Sequence, residues 1–348
     1  MGGIEAQVRQ LAHHQTQTDD VAVFTTTPPR AGAFGRSVEH DGDVAVFRLA
    51  ARMPLSLPIH PLAPTHLRSL LNRLRPDVVH LHMGGLAPST QLSLLALHDW
   101  PSVLTIHSMW TAPTALGYRA LTVLTGFRAW APIVTAVAET PAERIREATG
   151  LPVNVIGCGV DVARWRVEPQ QHGDIRFVCA TRFTHRKRTL ELLAMLKSAH
   201  DRAPNLRATI AGHGPLLAQA RQQAKSWDWL DLPGRLDAAE LKDLYARSDA
   251  FVLPSILEAG SVAVLEAQSA GLAVIVRAET GVADRITHGV NGYVVASDDG
   301  MADAIAALAR FPGELATMKR HARENPPPFD WSDIAQHAKD AYSQALSH

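Results

Sequence analysis

Two glutamates spaced as E-x7-E bracket the stretch with the most chemistry in it, PSILEAGSVAVLEAQSAGLAVIV at residues 254–276. The apolar run Ala250–Leu253 reads as a strand, a helical pattern opens near Ser261, and another apolar run follows. A helix start leaves its first amides unpaired and carries the positive end of the helix dipole, so residues 261–264 form an anion site. Gly260 lets the backbone approach a ligand closely. Glu258 falls in the loop before the helix and Glu266 on its second turn. A diphosphate resting on the amides of Ser261 and Val262 would leave both acids free to accept hydrogen bonds from sugar hydroxyls. A glycosidase pair fits less well, because eight residues of helix span roughly 12 Å, beyond the reach of a retaining hydrolase pair.

Other candidates sit at strand ends. Arg182 and Lys187 follow the strand pattern Ile175–Ala180, at the carboxyl edge where open α/β sheets bind ligands, although surface charges also occur there. His80 and His82 lie two apart on a strand and share a face. Zinc needs three or four ligands and no third is evident, so His80 is expected to pack at the strand end and His82 to pack or line a crevice. His107 ends a further strand, as a core histidine or as one facing a ligand.

These residues depend on a scaffold of alternating elements. Strands are expected at Val21–Thr25, Val44–Arg48, Asp77–Leu81, Ser102–Ile106 and Ile133–Val137, then at Ile175–Ala180, Arg207–Ala211, Ala250–Leu253, Ala273–Val276 and Gly292–Val295. Helical patterns lie between them, among them Glu5–Gln15, Leu190–His200, Ala238–Ser248 and Val262–Ala270. Apolar strands alternating with helices specify parallel sheets covered on both faces, and two such sets specify two doubly wound domains. The expected division is 1–160, 161–330 and a closing helix within 331–348, capped by Ser332, that packs back toward the first domain. Glu5–Gln15 reads as the first helix of a doubly wound domain, with Gly2-Gly3 as the tight turn before it, yet the strand that should precede that turn is missing.

Composition removes whole classes of function. The 348 residues carry 34 Lys plus Arg against 34 Asp plus Glu, so no basic field draws the chain to nucleic acid. Apolar residues at 46% supply buried cores, and two cysteines, Cys158 and Cys179, exclude a disulfide scaffold. The longest apolar helical pattern, 120–138, is broken by Gly126, Arg128 and Pro132, and the amino terminus has no signal-peptide pattern; the expected location is the cytoplasm. Residues 66–75 form a basic amphipathic stretch of the kind that contacts anionic membranes peripherally, but three arginines fit a solvated helix face better.

Taken in order along the chain, these motifs resemble retaining glycosyltransferase family 4. Besides the E-x7-E segment, the resemblance rests on GGIEAQVRQLA at the start, RPDVVHLH (75–82), VLTIHSMW (103–110), CATRFTHRKRTLELL (179–193), AGHGPL, LPGRL and GVNGYVV. It implies the GT-B architecture, two doubly wound domains facing across a cleft. It assigns Arg182 and Lys187 to the donor diphosphate, Glu258 to the donor sugar and Glu266 to the nucleotide ribose. Backbone amides at Gly2 or Gly3 would reach the phosphate, His107 would stand near the transferring sugar, and the backbone at Arg235 would lie by the base. The sequence differs from the family pattern at Thr181, where glycine is usual, at Gly260-Ser261, where Phe-Gly is common, and at Ala138, in place of a frequent serine.

The implied chemistry moves a hexose-type sugar from a UDP- or GDP-sugar to a hydroxyl acceptor such as a glycan, glycolipid or small metabolite, with retention. It needs no cofactor or metal. Asp41-Gly42-Asp43 imitates the Asp-x-Asp metal motif of the other main glycosyltransferase fold, but Asp-Gly between two strand-like runs reads as a hairpin turn. Two rivals share the scaffold: a sugar-nucleotide epimerase, and a non-catalytic or truncated relative that binds the donor without turnover. A dinucleotide oxidoreductase is disfavoured, since no G-x-G-x-x-G follows a first strand.

Overall fold

The runs Ala250–Leu253 and Ala273–Val276 are short and apolar throughout, which places them inside a sheet covered on both faces. The structure, a computed structural model, describes residues 3–27, 35–50, 60, 62–85, 88–94, 96–125, 127–129 and 131–347. It divides into two units, Met1–Gly159 with Trp331–His348, and Val160–Asp330.

The Val160–Asp330 unit begins with a short helix α6 (Val162–Trp165) and holds six parallel strands. In chain order these are β8 (Ile175–Ala180), β9 (Leu206–Ala211), β10 (Leu230–Gly234), β11 (Ala250–Leu253), β12 (Ala273–Arg277) and β13 (Gly292–Val295). Their spatial order is β10-β9-β8-β11-β12-β13, so the sheet is wound outward in both directions from β8 and β11, which pair through Ala250↔Phe177 and Phe251↔Val178. The covering helices are α7 (Thr189–Arg202), α8 (Leu217–Gln223), α9 (Ala238–Ala246), α10 (Val262–Ser269), α11 (Asp298–Arg310) and α12 (Pro312–Glu324). Helix α7 buries Leu192, Leu193, Leu196 and Ala199, an i, i+1, i+4, i+7 stripe, against β8 and β9 residues of the same core. Helix α9 opens on a capping box in which Asp237 accepts from the amides of Ala239 and Glu240 while Glu240 accepts from Asp237.

The other unit is built from two sheets. Helix α1 (Gly3–Gln15) precedes β1 (Ala22–Thr25), β2 (Gly35–Asp41) and β3 (Val44–Ala50), which form a sheet ordered β1-β3-β2. Asp41 pairs with Val44, so Gly42-Asp43 is the two-residue loop of an antiparallel hairpin, with Gly42 at φ 61°. A four-stranded parallel sheet follows, with β4 (Val79–Met83), β5 (Ser102–Ile106), β6 (Ile133–Ala136) and β7 (Val153–Val155) in chain order. Its helices are α2 (Ala63–Leu74), α3 (Pro88–Leu94), α4 (Ala112–Thr125) and α5 (Glu139–Thr149). Among the described residues no strand precedes α1, and β1 and β4 each have a ladder partner on one side only.

The last helix, α13 (Trp331–Leu346), belongs to this unit. It begins at Trp331, one residue before the expected Ser332 cap, and the Trp331 ring seats on Gly159, where a Cβ would come within 2.4 Å of Cε3. The same glycine exchanges both backbone groups with the Gln7 side chain of α1, at 2.8 and 2.9 Å. Among the described residues no helix is long and apolar enough to cross a membrane.

Candidate active site

In a sheet wound outward in both directions, the loops at the carboxyl ends of the two central strands diverge and leave a crevice. Here those loops follow β8 and β11. After β8 the chain runs through Arg182 to a tight turn at His185–Lys187, and Arg188 then adopts a left-handed conformation before α7 starts. The backbone of 181–183 is held against the AGHG loop by Thr181 N–Ala211 O and Phe183 N–His213 O bonds, each 2.9 Å. Glycines are required in that loop: a Cβ on Gly212 would fall 1.7 Å from the Thr181 carbonyl oxygen, and one on Gly214 would fall 2.4 Å from that of Phe183.

Lys187 Nζ donates to Glu258 Oε2 across the crevice. Glu258 is 7% exposed and Lys187 about a quarter exposed, so the pair is partly shielded. The loops are joined a second time by Arg186, whose Nη2 donates to the Leu257 carbonyl at 3.2 Å. Three residues past Glu258, Ser261 caps α10 in an extended conformation without a side-chain cap bond. The amides of Val264 and Leu265 turn back to the Ser261 carbonyl at 3.2 and 3.3 Å, which leaves those of Val262 and Ala263 at the open helix start. Lys187, Glu258, Gly260, Ser261 and Val262 are thus gathered at the β8/β11 switch point. Arg182 and Arg235 are exposed, Arg235 directly after β10, where Gly234 at φ 93° accepts from the Gly212 amide at 2.7 Å.

Glu266 lies one turn into α10. Burial raises its carboxyl from 4.5 to about 7, against the opposing pull of Arg164 on α6. An acid in that position favours a ligand that offers hydroxyl donors, because those offset the cost of its buried charge.

In the other unit, Gly84 shows which loops meet at the carboxyl end of the four-stranded sheet. A Cβ there would stand 3.3 Å from Ser108 Oγ and 3.7 Å from Ile4 Cδ1, so the loops after β4 and β5 lie beside the first turn of α1. Gly3 is the first residue of that helix; Gly2 lies outside the described residues. His107 begins the loop after β5, and its Nε2 is 3.0 Å from Nδ1 of His82. Burial lowers the His107 pKa to about 4 and that of His82 well below the usual range, so both rings are neutral at pH 7.

His80, tilted 33° against His82 with centroids 4.0 Å apart, is held at both nitrogens, Nδ1 by the Tyr342 hydroxyl at 2.7 Å and Nε2 by Thr105 Oγ1 at 2.6 Å. The Thr105 hydroxyl is in turn 2.6 Å from that of Thr135, which lies 3.4 Å from the Leu104 carbonyl. The Tyr342 oxygen also takes a bond from Gln15 Nε2 at 2.8 Å. Burial, with the His107 ring adding to it, keeps the His80 pKa down to about 3. Sequence reasoning identified the histidines but not Thr105, Thr135, Tyr342 or Gln15, because Tyr342 is 262 residues from His80 and carries no local signal.

Two Rossmann-like α/β units, one a six-stranded parallel sheet that reverses at β8/β11, give the GT-B fold. The structure superposes on sucrose-phosphate synthase of Thermosynechococcus elongatus with a TM-score of 0.80 at 19% identity, over 99% of this chain and 94% of the other. It superposes on Anabaena HepE, solved in complex with UDP, with a TM-score of 0.77 at 17% identity, over 99% and 96%. In sequence, residues 1–164 match Glycosyltransferase Family 4 and residues 163–325 match Glycosyl transferases group 1. The chain belongs to this family and is an enzyme of the hexosyltransferase class. It is 28% identical to the glycogen synthase of Mycobacterium tuberculosis over 290 residues, 78% of this chain and 69% of that protein. It is 26% identical to the GDP-mannose:cellobiosyl-diphosphopolyprenol alpha-mannosyltransferase of Xanthomonas oryzae over 366 residues, 99% and 94% of the two.

Proposed function

We propose that the protein transfers a hexose-type sugar, with retention, from a UDP- or GDP-sugar to a hydroxyl acceptor. The observation that carries this reading is the Lys187–Glu258 pair beside the open start of α10, at the switch point of the six-stranded sheet. A lysine ammonium has three donors, so Lys187 can keep Glu258 on one and give the others to phosphate oxygens. Arg182 adds a fork suited to a bidentate contact, and the amides of Ser261 and Val262, with the flexible Gly260, complete the diphosphate site. Glu258 then faces the donor sugar and Glu266 the ribose diol, and the backbone at Arg235 borders the base. In the other unit, neutral His107 and the amides at Gly2 and Gly3 are assigned to the sugar and phosphate.

The departing diphosphate takes the proton of the incoming hydroxyl, and the protein lowers the barrier by stabilising charge as it builds on the leaving oxygens. No divalent metal enters that scheme. The solved UDP complex of HepE and the GDP-mannose in the name of the Xanthomonas relative support a nucleoside diphosphate donor of either base. Residues 66–75 are read as a solvated helix face, since Arg68 already pairs with Asp99 and Arg73 lies over the Phe47 ring. Recovery of the protein with anionic vesicles in flotation would overturn that assignment.

The test is turnover of a UDP- and GDP-sugar panel, with proton NMR of the anomeric product. Transfer or slow donor hydrolysis giving the donor's own anomeric configuration is expected. Inversion would reject retention, and binding of nucleotide without any turnover would reject catalysis.

A further inference from the structure

Three loops of the Val160–Asp330 unit are tied into a closed circuit around Lys187. Lys187 bonds Glu258, and the Glu258 carbonyl accepts from the Gly281 amide at 2.9 Å, in the segment after β12. That segment starts at Arg277, whose Nη1 donates to Asp298 Oδ1 at 2.6 Å and whose Nη2 donates to the Ala296 carbonyl at 2.7 Å. Asp298, the first residue of α11, also takes both terminal nitrogens of Arg188, at 2.9 and 2.7 Å. Arg188 is the residue after Lys187, so the circuit returns to its start.

We propose that Asp298 is a positioning residue for the donor-phosphate site, holding the turn that presents Lys187 to Glu258. The inference rests on the assignment of Lys187 to the donor diphosphate. The geometry gives Asp298 two tasks. It is the shared counter-charge of two guanidiniums that are only 17% and 13% exposed, which without it would repel each other at short range. It also anchors Arg188, a non-glycine residue at φ 54°, a conformation that persists only where its surroundings hold it. Neither arginine touches Glu258 through its side chain, so Asp298 acts on the site only by fixing the backbone on either side of it.

The chain has six lysines, so the Lys187 ammonium can be followed by NMR in protein labelled with 13C,15N-lysine and assigned by its loss in Lys187→Arg. In Asp298→Ala, and in the isosteric Asp298→Asn should the first variant fold poorly, the Lys187 signal is expected to move toward those of free surface lysines. With a donor that the wild type turns over, kcat is expected to fall about tenfold, short of the roughly hundredfold that a full 1 Å misplacement can cost, while donor KM changes less than about twofold. Asp298→Glu should recover part of both effects. An unchanged Lys187 signal in Asp298→Ala or Asp298→Asn overturns the proposal. A wild type that turns over no donor overturns the functional reading instead, and the NMR result then decides the positioning claim alone.

Discussion

Lys187→Ala should destabilise the Val160–Asp330 unit even without substrate. The substitution leaves the Glu258 carboxylate, 7% exposed, without its only side-chain partner among the described contacts. Removing one member of a fully buried ion pair costs roughly 3–5 kcal/mol. Lys187 is 25% exposed, so water reaches the stranded carboxylate and the expected cost falls to about 1–3 kcal/mol. In a unit of this size each kcal/mol lowers Tm by about 2–4 °C, which predicts a fall of about 2–12 °C. Glu258→Gln in the Lys187→Ala background removes the unpaired charge and should restore more than half of the loss. Calorimetric melts of the wild type, both single variants and the double variant form a cycle that isolates the pair. If Lys187→Ala melts within a degree of the wild type, and Glu258→Gln has the same effect in both backgrounds, the pair does not exist in solution.

Three further expectations follow from the same geometry. Glu266 has a folded-state pKa near 7 against 4.5 for an ordinary glutamate, so between those values the folded chain holds the extra proton and stability falls as pH rises, by at most about 1.4 kcal/mol per unit. Glu266→Gln should flatten that fall and melt higher than the wild type above about pH 8; parallel pH–Tm curves would contradict it. Tyr342→Phe leaves His80 Nδ1 without its hydroxyl partner and should cost about 1–2 kcal/mol in urea titrations that follow the Met1–Gly159 unit, with no loss expected if His80 is held another way. Gly212→Ala forces a Cβ to 1.7 Å from a carbonyl oxygen at φ 144°, and should cost about 3 kcal/mol or more, read as lost soluble yield and Tm.

Much of this scaffold was legible in the sequence because fully buried parallel strands read as apolar runs: Ala250–Leu253 and Ile175–Ala180 fall where the pattern put them. Strands that lack that signature were missed or, for β2, marked only by the hairpin turn that ends it. The β2 sequence GRSVEHD lies on an edge with Val38 57% exposed, β7 has three residues, and β10 is interrupted by Pro233. The turn at Gly42-Asp43 was legible because Asp-Gly suits a two-residue hairpin loop. The Lys187–Glu258 contact was not, because sequence spacing gives each loop a strand end but not the direction of its side chains. The same limit hides Asp298, which reads as an acid in the first turn of a helix and becomes a bridge only when β8 and β12 lie in one sheet. Tyr342 is hidden further still, since the helix that carries it returns from the end of the chain.

Isothermal titration of UDP and GDP decides whether Lys187 and the open start of α10 bind a diphosphate, as proposed. One nucleoside diphosphate is expected to bind the wild type, Lys187→Ala to weaken it by about tenfold or more, and the matching nucleoside without phosphates to bind both proteins alike. Equal affinity of wild type and Lys187→Ala for that diphosphate would contradict the proposal.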